Sequence, residues 1–172
     1  HALAHRAMTR RFLGDLWPAT GVVDVETVPA QIARTLRDAA PPAARGDVTV
    51  AVLSAGAQDP SWFEHTMIAD LAGIELVQTA ELVVRDDVTY IQRGPSFTRV
   101  DVLYARIDED RLLSSAGYDG RPLGPGLLAA MRGGTLTLAN ALGSGVAEDK
   151  AVFGYVPAMI EYYLGQRPLL DQ

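Results

Sequence analysis

Residues 136–150 read Leu-Thr-Leu-Ala-Asn-Ala-Leu-Gly-Ser-Gly-Val-Ala-Glu-Asp-Lys, an apolar strand that empties into a glycine turn and a charged helix start. Strand, Gly-x-Gly turn and helix are a framework on which α/β proteins hold anions, because the turn and the first helical turn point unused N–H groups at the ligand. Asn140, Gly143, Ser144 and Gly145 shape this candidate anion site, and Lys150, the only lysine among 15 basic residues, is its candidate counter-charge. The turn is not a dinucleotide fingerprint, since Glu148 stands where the third glycine belongs, nor a Walker A loop, which ends in Gly-Lys-Ser/Thr. The same residues also make a plain strand-to-helix turn, and spacing alone does not choose between the two.

Two further groups have chemical potential. In Tyr104-Ala105-Arg106-Ile107-Asp108 a guanidinium follows an apolar run. A strand end is a rigid mount for an Arg that clamps a carboxylate or phosphate with two hydrogen bonds. The alternative for Arg106 is an internal ion pair with Asp108, Glu109 or Asp110. Glu64 and His65 open a helix beside the loop after the first strand. The helix dipole favours Glu64 there, and His65 can act as acid, base or ligand-orienting donor, or simply pack as a half-buried ring. His5 and His65 have no third ligand at metal-binding spacing, so no metal site is expected. Tyr155, Tyr162 and Tyr163 fall at helical spacing and read as packing residues.

The elements that must position these residues alternate along the chain. Met8, Phe12, Leu13, Leu16 and Trp17 predict a helix over residues 3–17, ended by Pro18 and Gly21. A second helix is predicted over 29–40, with Pro29 in its first turn, followed by an Ala/Pro linker over 39–44. Residues 48–53 read as a strand buried on both faces, followed by a loop over 54–60 and a helix from Ser61 that Gly73 stops. Strands are predicted over 74–77, 100–104 and 136–139, with a hairpin of 82–85 and 88–91 turning at Asp86-Asp87. Residues 108–125, with three glycines and two prolines, read as an exposed loop. A short helix over 127–131 and helical structure over 147–164, broken near Pro157, complete the pattern. The fold class is therefore α/β: an open, mostly parallel sheet with helices on both faces, an appended β-hairpin and N-terminal helices. Ligands of such sheets bind beyond the carboxyl ends of the strands, where residues 54–60, 106–110 and 140–145 fall. Residues 1–45 are expected to form a helical segment and linker, and 46–172 the α/β domain, packed as one unit.

Composition narrows the function. With 172 residues, 48% of them hydrophobic, the chain can bury a core without staples, and with no Cys it has neither disulfides nor thiolate chemistry. A net charge of −6 argues against nucleic acid and against an anionic membrane surface as partners. No apolar run approaches the ~20 residues that span a bilayer, and no charged region followed by an apolar one opens the chain, so the expected location is cytoplasmic.

Four phrases resemble one family closely: Trp62-Phe63-Glu64-His65 with Ala69-Asp70, the stretches 100–108 and 138–150, and the tail 155–165. They resemble the circularly permuted ATP-grasp proteins of type 2, bacterial proteins described as glutathionylspermidine-synthase-like, and the resemblance runs the length of the chain. It implies a Rossmann-like pre-ATP-grasp domain from a carboxylate–amine ligase. In such ligases ATP phosphorylates a carboxylate and an amine displaces the phosphate to form an amide, in a peptide synthesis or modification system. Arg106 matches the family Arg that holds the substrate carboxylate. ATP and Mg are implied for a longer protein, their lysines and acidic residues lying beyond Gln172, and neither a cofactor nor a catalytic residue is expected within this chain. The implied partners are a carboxylate or peptide-like substrate and the remaining ATP-grasp segments. The chain departs from the family pattern at Ala105-Arg106, where paired Arg is usual, at Ser54-Ala55-Gly56 for Thr-Pro-Gly, and at Leu113-Ser114-Ser115 for Asp-Pro-Leu. Those losses leave a non-catalytic interaction module as a rival expectation, and the glycine turn leaves another, a stand-alone nucleotide-binding α/β protein built on Gly143-Ser144-Gly145.

Titrating Mg-ATP into this chain separates them. No heat at millimolar nucleotide is the expected result, and micromolar binding would put a complete nucleotide site within these residues.

Overall fold

Residues Val50–Ser54 form β1, which is buried along its whole length, as a strand without polar alternation must be when both sheet faces are covered. The structure, a computed structural model, describes residues 2–17 and 27–170. The chain divides into two units, His1–Ala139 and Asn140–Gln172. In the first unit β1 is flanked by parallel neighbours in a four-stranded sheet of order β2-β1-β6-β7, with β2 at Glu75–Gln78, β6 at Val102–Arg106 and β7 at Thr137–Ala139. Helices α1 (Ala2–Leu13), α2 (Val28–Asp38), α3 (Trp62–Ala72), α4 (Glu109–Ser114) and α5 (Leu123–Arg132) accompany it. A separate antiparallel sheet of three strands is made by β3 (Leu82–Arg85), β4 (Val88–Arg93) and β5 (Ser96–Arg99). The α/β class expected from the sequence is the one observed.

Register decides which side chains meet. Ser54 ends β1 opposite Gln78 of β2 and Arg106 of β6. On one face Val52, Leu76 and Tyr104 pack with Ile68 and Ala69 of α3, and Val50 and Val102 pack with Leu36 of α2. Strand side chains alternate with period two. Ser54, Gln78 and Arg106, each two residues further on, therefore lie in a row on that same face at the carboxyl end of the sheet.

Both ends of this arrangement are fastened locally. At the carboxyl end of α3, Gly73 takes the left-handed conformation, φ 63°, and its N–H closes the helix on Asp70. At the amino end of β6 the buried Asp101 accepts from the Thr49 N–H at 3.0 Å and pairs with Arg99 at 2.8 Å, while Arg99 also donates to the Ala43 carbonyl at 3.1 Å. The predicted linker is thus tied down, with Ala43 N donating to Gly134 O at 3.0 Å.

Several elements differ from expectation. Arg106 is the last residue of β6 rather than a residue beyond it. The stretch read as an exposed loop contains α4 and a bridge between Ala116 and Pro122. Its glycines serve close approach: a Cβ on Gly117 would sit 2.6 Å from the Leu82 carbonyl, and one on Gly124 2.7 Å from that of Leu113. Glu109 and Asp110 supply the acidic first turn that a helix amino end favours. The hairpin has the predicted turn, with Asp86 and Asp87 both left-handed at φ 50° and 57°. It then gains β5, whose exposed polar pattern gave no strand signal. In the predicted first helix, Trp17 is buried but Phe12 is 90% exposed, and a 3-10 turn over Gly14–Leu16 follows α1. Pro18 and Gly21, expected to end it, lie outside the described residues.

The second unit contains α6 (Gly145–Glu148), α7 (Lys150–Phe153) and α8 (Val156–Leu164). Its breaks fall at Asp149 and at residues 154–155, whereas Pro157 sits in the first turn of α8, where its missing N–H costs no helical bond. Tyr162 and Tyr163 meet edge to face at 4.9 Å but are exposed. Among the described residues no helix is long and apolar enough to cross a membrane.

Leu103, fully buried in β6, is expected to cost about 2–5 kcal/mol of unfolding free energy on replacement by Ala. Phe12→Ala, at the exposed position, should stay within about 0.5 kcal/mol, and denaturant melts of the two variants compare them directly.

Candidate functional site

The row Gln78–Ser54–Arg106 becomes a site because α3 lays His65 over it. His65, in the second turn of α3, is 1% exposed, and its Nδ1 lies 2.8 Å from Ser54 Oγ. The Gly56 N–H donates to the same hydroxyl at 3.3 Å. With one lone pair of Ser54 Oγ taken by the Gly56 N–H, the hydroxyl still has a proton to give and a second lone pair, so the pair orients the imidazole ring in either tautomer. Burial first, and the positive charge of Arg106 second, hold the His65 pKa below its ordinary 6.5, against the smaller opposite pulls of Asp59 and Glu64. His65 is thus a neutral imidazole at neutral pH.

Arg106 is half-buried, with its guanidinium carbon 5.6 Å from the centre of the Tyr104 ring, on the same face of β6. Among the described residues no carboxylate pairs with it, so the ion pair with Asp108, Glu109 or Asp110 does not form. Its Nε is buried and has no hydrogen-bond partner. An orphaned donor on a buried cation is costly to leave. At the carboxyl end of a parallel sheet, it suits an incoming anion.

The loop from β1 to α3 closes over the end of β2. Gly56 has φ +93°, and a Cβ there would overlap the Gln78 side-chain amide. Only glycine allows both the conformation and the approach, and together they direct the Gly56 N–H at Ser54. The loop is further fixed where Asp59 accepts from Ser61 N at 2.7 Å.

Of the residues singled out from the sequence, Arg106 and His65 come together, and Glu64 stands beside His65 in the acidic first turn of α3. Asp108 is exposed at the amino end of α4 and makes no side-chain cap bond there. Asn140, Gly143, Ser144, Gly145 and Lys150 belong to the second unit. There Asn140 and Gly143 have positive φ, 57° and 83°, and turn the chain into the four residues of α6. Lys150 is exposed and opens α7, a separate helix, because Asp149 leaves the helical conformation and caps Ala151 N at 2.8 Å. Gln78 is the residue that sequence reading missed as a site member, and Ser54, expected only as the start of the loop over 54–60, is the unforeseen partner of His65. Ser54 lies 11 residues before His65 in sequence, a separation matching no local period, so only the strand register could have signalled the pair.

An α/β segment with its cation at the sheet's carboxyl end is what the permuted ATP-grasp phrases led one to expect, and residues 1–172 match the family described as circularly permuted ATP-grasp type 2. The chain belongs to that family. A Frankia alni protein named "Putative glutamate--cysteine ligase 2-3" is 47% identical over 171 residues, covering 99% of this chain and 20% of that protein. A Frankia casuarinae protein named "Putative glutamate--cysteine ligase 2-2" is 45% identical over 172 residues, covering 99% and 20%. An uncharacterized protein of Synechocystis is 37% identical over 171 residues, covering 99% of this chain and 35% of its own length. The chain therefore spans about a fifth of the length of the Frankia relatives.

Because the folded ring is harder to protonate than the unfolded one, the unfolded state binds more protons as pH falls below about 6.5. Stability from this group is complete above that value and drains as pH falls through it toward the lower folded pKa. Urea melts between about pH 7.5 and 5 should show this loss, and His65→Asn should flatten the slope.

Proposed function

We propose that this chain is the acid-binding segment of an ATP-dependent carboxylate–amine ligase, and that Arg106 grips the substrate carboxylate. The observation that carries the reading is the half-buried guanidinium with an orphaned Nε at the carboxyl end of the parallel sheet. Nε and one terminal nitrogen of a guanidinium form a planar fork that fits two carboxylate oxygens. Tyr104 supports the cation from below without neutralising it, and neutral His65 adds no competing charge. Two relatives bear the name of a glutamate–cysteine ligase, which supports an α-amino acid such as glutamate as the acid.

Mg-ATP does not fit this chain by itself. Among the described residues no three His, Asp or Glu side chains group to hold a metal ion, and Lys150 stands exposed on a single-turn helix. In this reading nucleotide and metal are held by other segments of a longer protein, which are also the chain's closest partners, and no chemical step is assigned to residues here. The second reading, an interaction module without catalysis, is favoured by α8, where Met159, Tyr162, Tyr163 and Leu164 are all exposed.

Steady-state kinetics of the full-length ligase decide between them. With glutamate as the acid probe, Arg106→Gln is expected to raise KM for glutamate by about 10–100-fold, the loss of a charge-assisted bidentate pair. KM for ATP should stay unchanged. No glutamate-dependent ADP release from the unaltered protein, or an unchanged glutamate KM in the variant, would overturn the acid-binding reading.

A further inference from the structure

The second unit has helices but no core of its own. Among its described residues, 140–170, none is buried. Its helices α6, α7 and α8 are four, four and nine residues long. Helices this short do not hold in water on intrinsic propensity, and a chain below about 40 residues buries too little surface to fold unaided. Their stability has to come from a surface that covers them.

α8 shows what kind of surface that is. Of its nine residues, Val-Pro-Ala-Met-Ile-Glu-Tyr-Tyr-Leu, only Glu161 is charged. At about 100° per residue, Met159, Tyr162 and Tyr163 fall on one side and Ile160 and Leu164 on another, which leaves Glu161 at a narrow polar edge. Tyr162 is nevertheless 82% exposed, and Met159, Tyr163 and Leu164 are exposed with it. A helix that is apolar nearly all round belongs in an interior, whereas a surface helix carries a single stripe. Two copies of α8 packed on each other would cover one stripe apiece. A longer polypeptide folded around the helix covers several sides, and this chain spans 20% of the length of each Frankia relative.

The path of the chain selects the covering segment. β7 runs parallel to β6 with Ala139 beside Tyr104, so the second unit leaves the sheet at its carboxyl end, the end at which Arg106 closes β6. A carboxylate held there is phosphorylated only if the γ-phosphate of ATP reaches the same end. The described residues offer no cluster of His, Asp or Glu for the metal of Mg-ATP. A nucleotide-holding segment therefore has to approach the place from which α6 to α8 depart.

We propose that α8 is a docking helix whose apolar sides are enclosed by the nucleotide-holding segment of the longer polypeptide, with Glu161 at the edge left to water. The inference rests on the reading of this chain as the acid-binding segment of a ligase. It accounts, within that reading, for the exposure that otherwise favours an interaction module.

The test uses the full-length ligase. In hydrogen exchange read by mass spectrometry, amides of residues 156–164 should exchange at least about 100-fold more slowly than an uncovered helix of that length. Tyr162→Asp should abolish that protection while β1 and β6 keep theirs, and Tyr162→Phe, which retains the ring, should preserve it. Replacing Tyr162 by p-benzoylphenylalanine then identifies the occupant. The expected photo-crosslink lies within one polypeptide and joins residue 162 to the segment that 8-azido-ATP also labels. Fast exchange over 156–164 in the unaltered protein overturns the proposal, as does a crosslink to the first unit, to a second copy, or to a segment that the nucleotide probe does not label. If Tyr162→Asp does not fold, exchange in the unaltered protein and the crosslink decide. Arg106→Gln tests the acid-binding reading separately. An unchanged KM for glutamate with the expected crosslink removes the anchor and leaves the docking, and a raised KM with the crosslink elsewhere does the reverse. No 8-azido-ATP labelling anywhere in the protein removes both.

Discussion

The pairing of β1 with β6 is the constraint on which the rest depends. It sets Ser54 against Arg106 in parallel register, and because both strands present the same parity of residues to α3, the two side chains emerge on one face. A slip of one residue in β6 would send Arg106 to the opposite face, and one in β1 would leave His65 above an apolar position. The register is protected where it is most vulnerable. Asp101 and Arg99 fasten the start of β6 to Thr49 and Ala43, so the strands are aligned at one end and their chemistry appears at the other.

The site shows how a buried cation is tolerated without a permanent counter-ion. Arg106 keeps partial solvent access and rests on the Tyr104 ring. Neutral His65 avoids a second positive charge, and its proton is withheld by burial and by Arg106 itself. The guanidinium thus helps keep the ring neutral. Unpaired donors that persist in folded proteins tend to mark places where binding completes the hydrogen bonding.

The departures from the family phrases acquire physical meaning here. Ala105, in place of a second Arg, is buried in β6 at 6% exposure, on the face opposite Arg106, so its small apolar side chain belongs to the sheet's other layer. Ser54 and Gly56, in place of Thr and Gly around a Pro, keep the two features that the loop uses: a hydroxyl at the strand end and a glycine with positive φ. Leu113-Ser114-Ser115 closes α4, where Ser114 and Ser115 bond back to carbonyls of their own helix.

Much of this protein is determined by sequence alone. Apolar runs without alternation announce the buried parallel strands, Gly73 announces the end of α3, and a guanidinium after such a run announces a rigidly mounted cation. These are local facts, fixed by side-chain volume, hydrophobicity and φ preference within a few residues. Only the tertiary structure decided the partners. Ser54, His65, Gln78 and Arg106 are separated by helices and strands, and their meeting depends on register and on the parity of β-strand side chains, which no local spacing encodes. The same reason hid α4: the glycines of residues 108–125 looked like freedom, but Gly117 and Gly124 are there because backbones approach each other, and close approach is a property of the packed chain rather than of the residue.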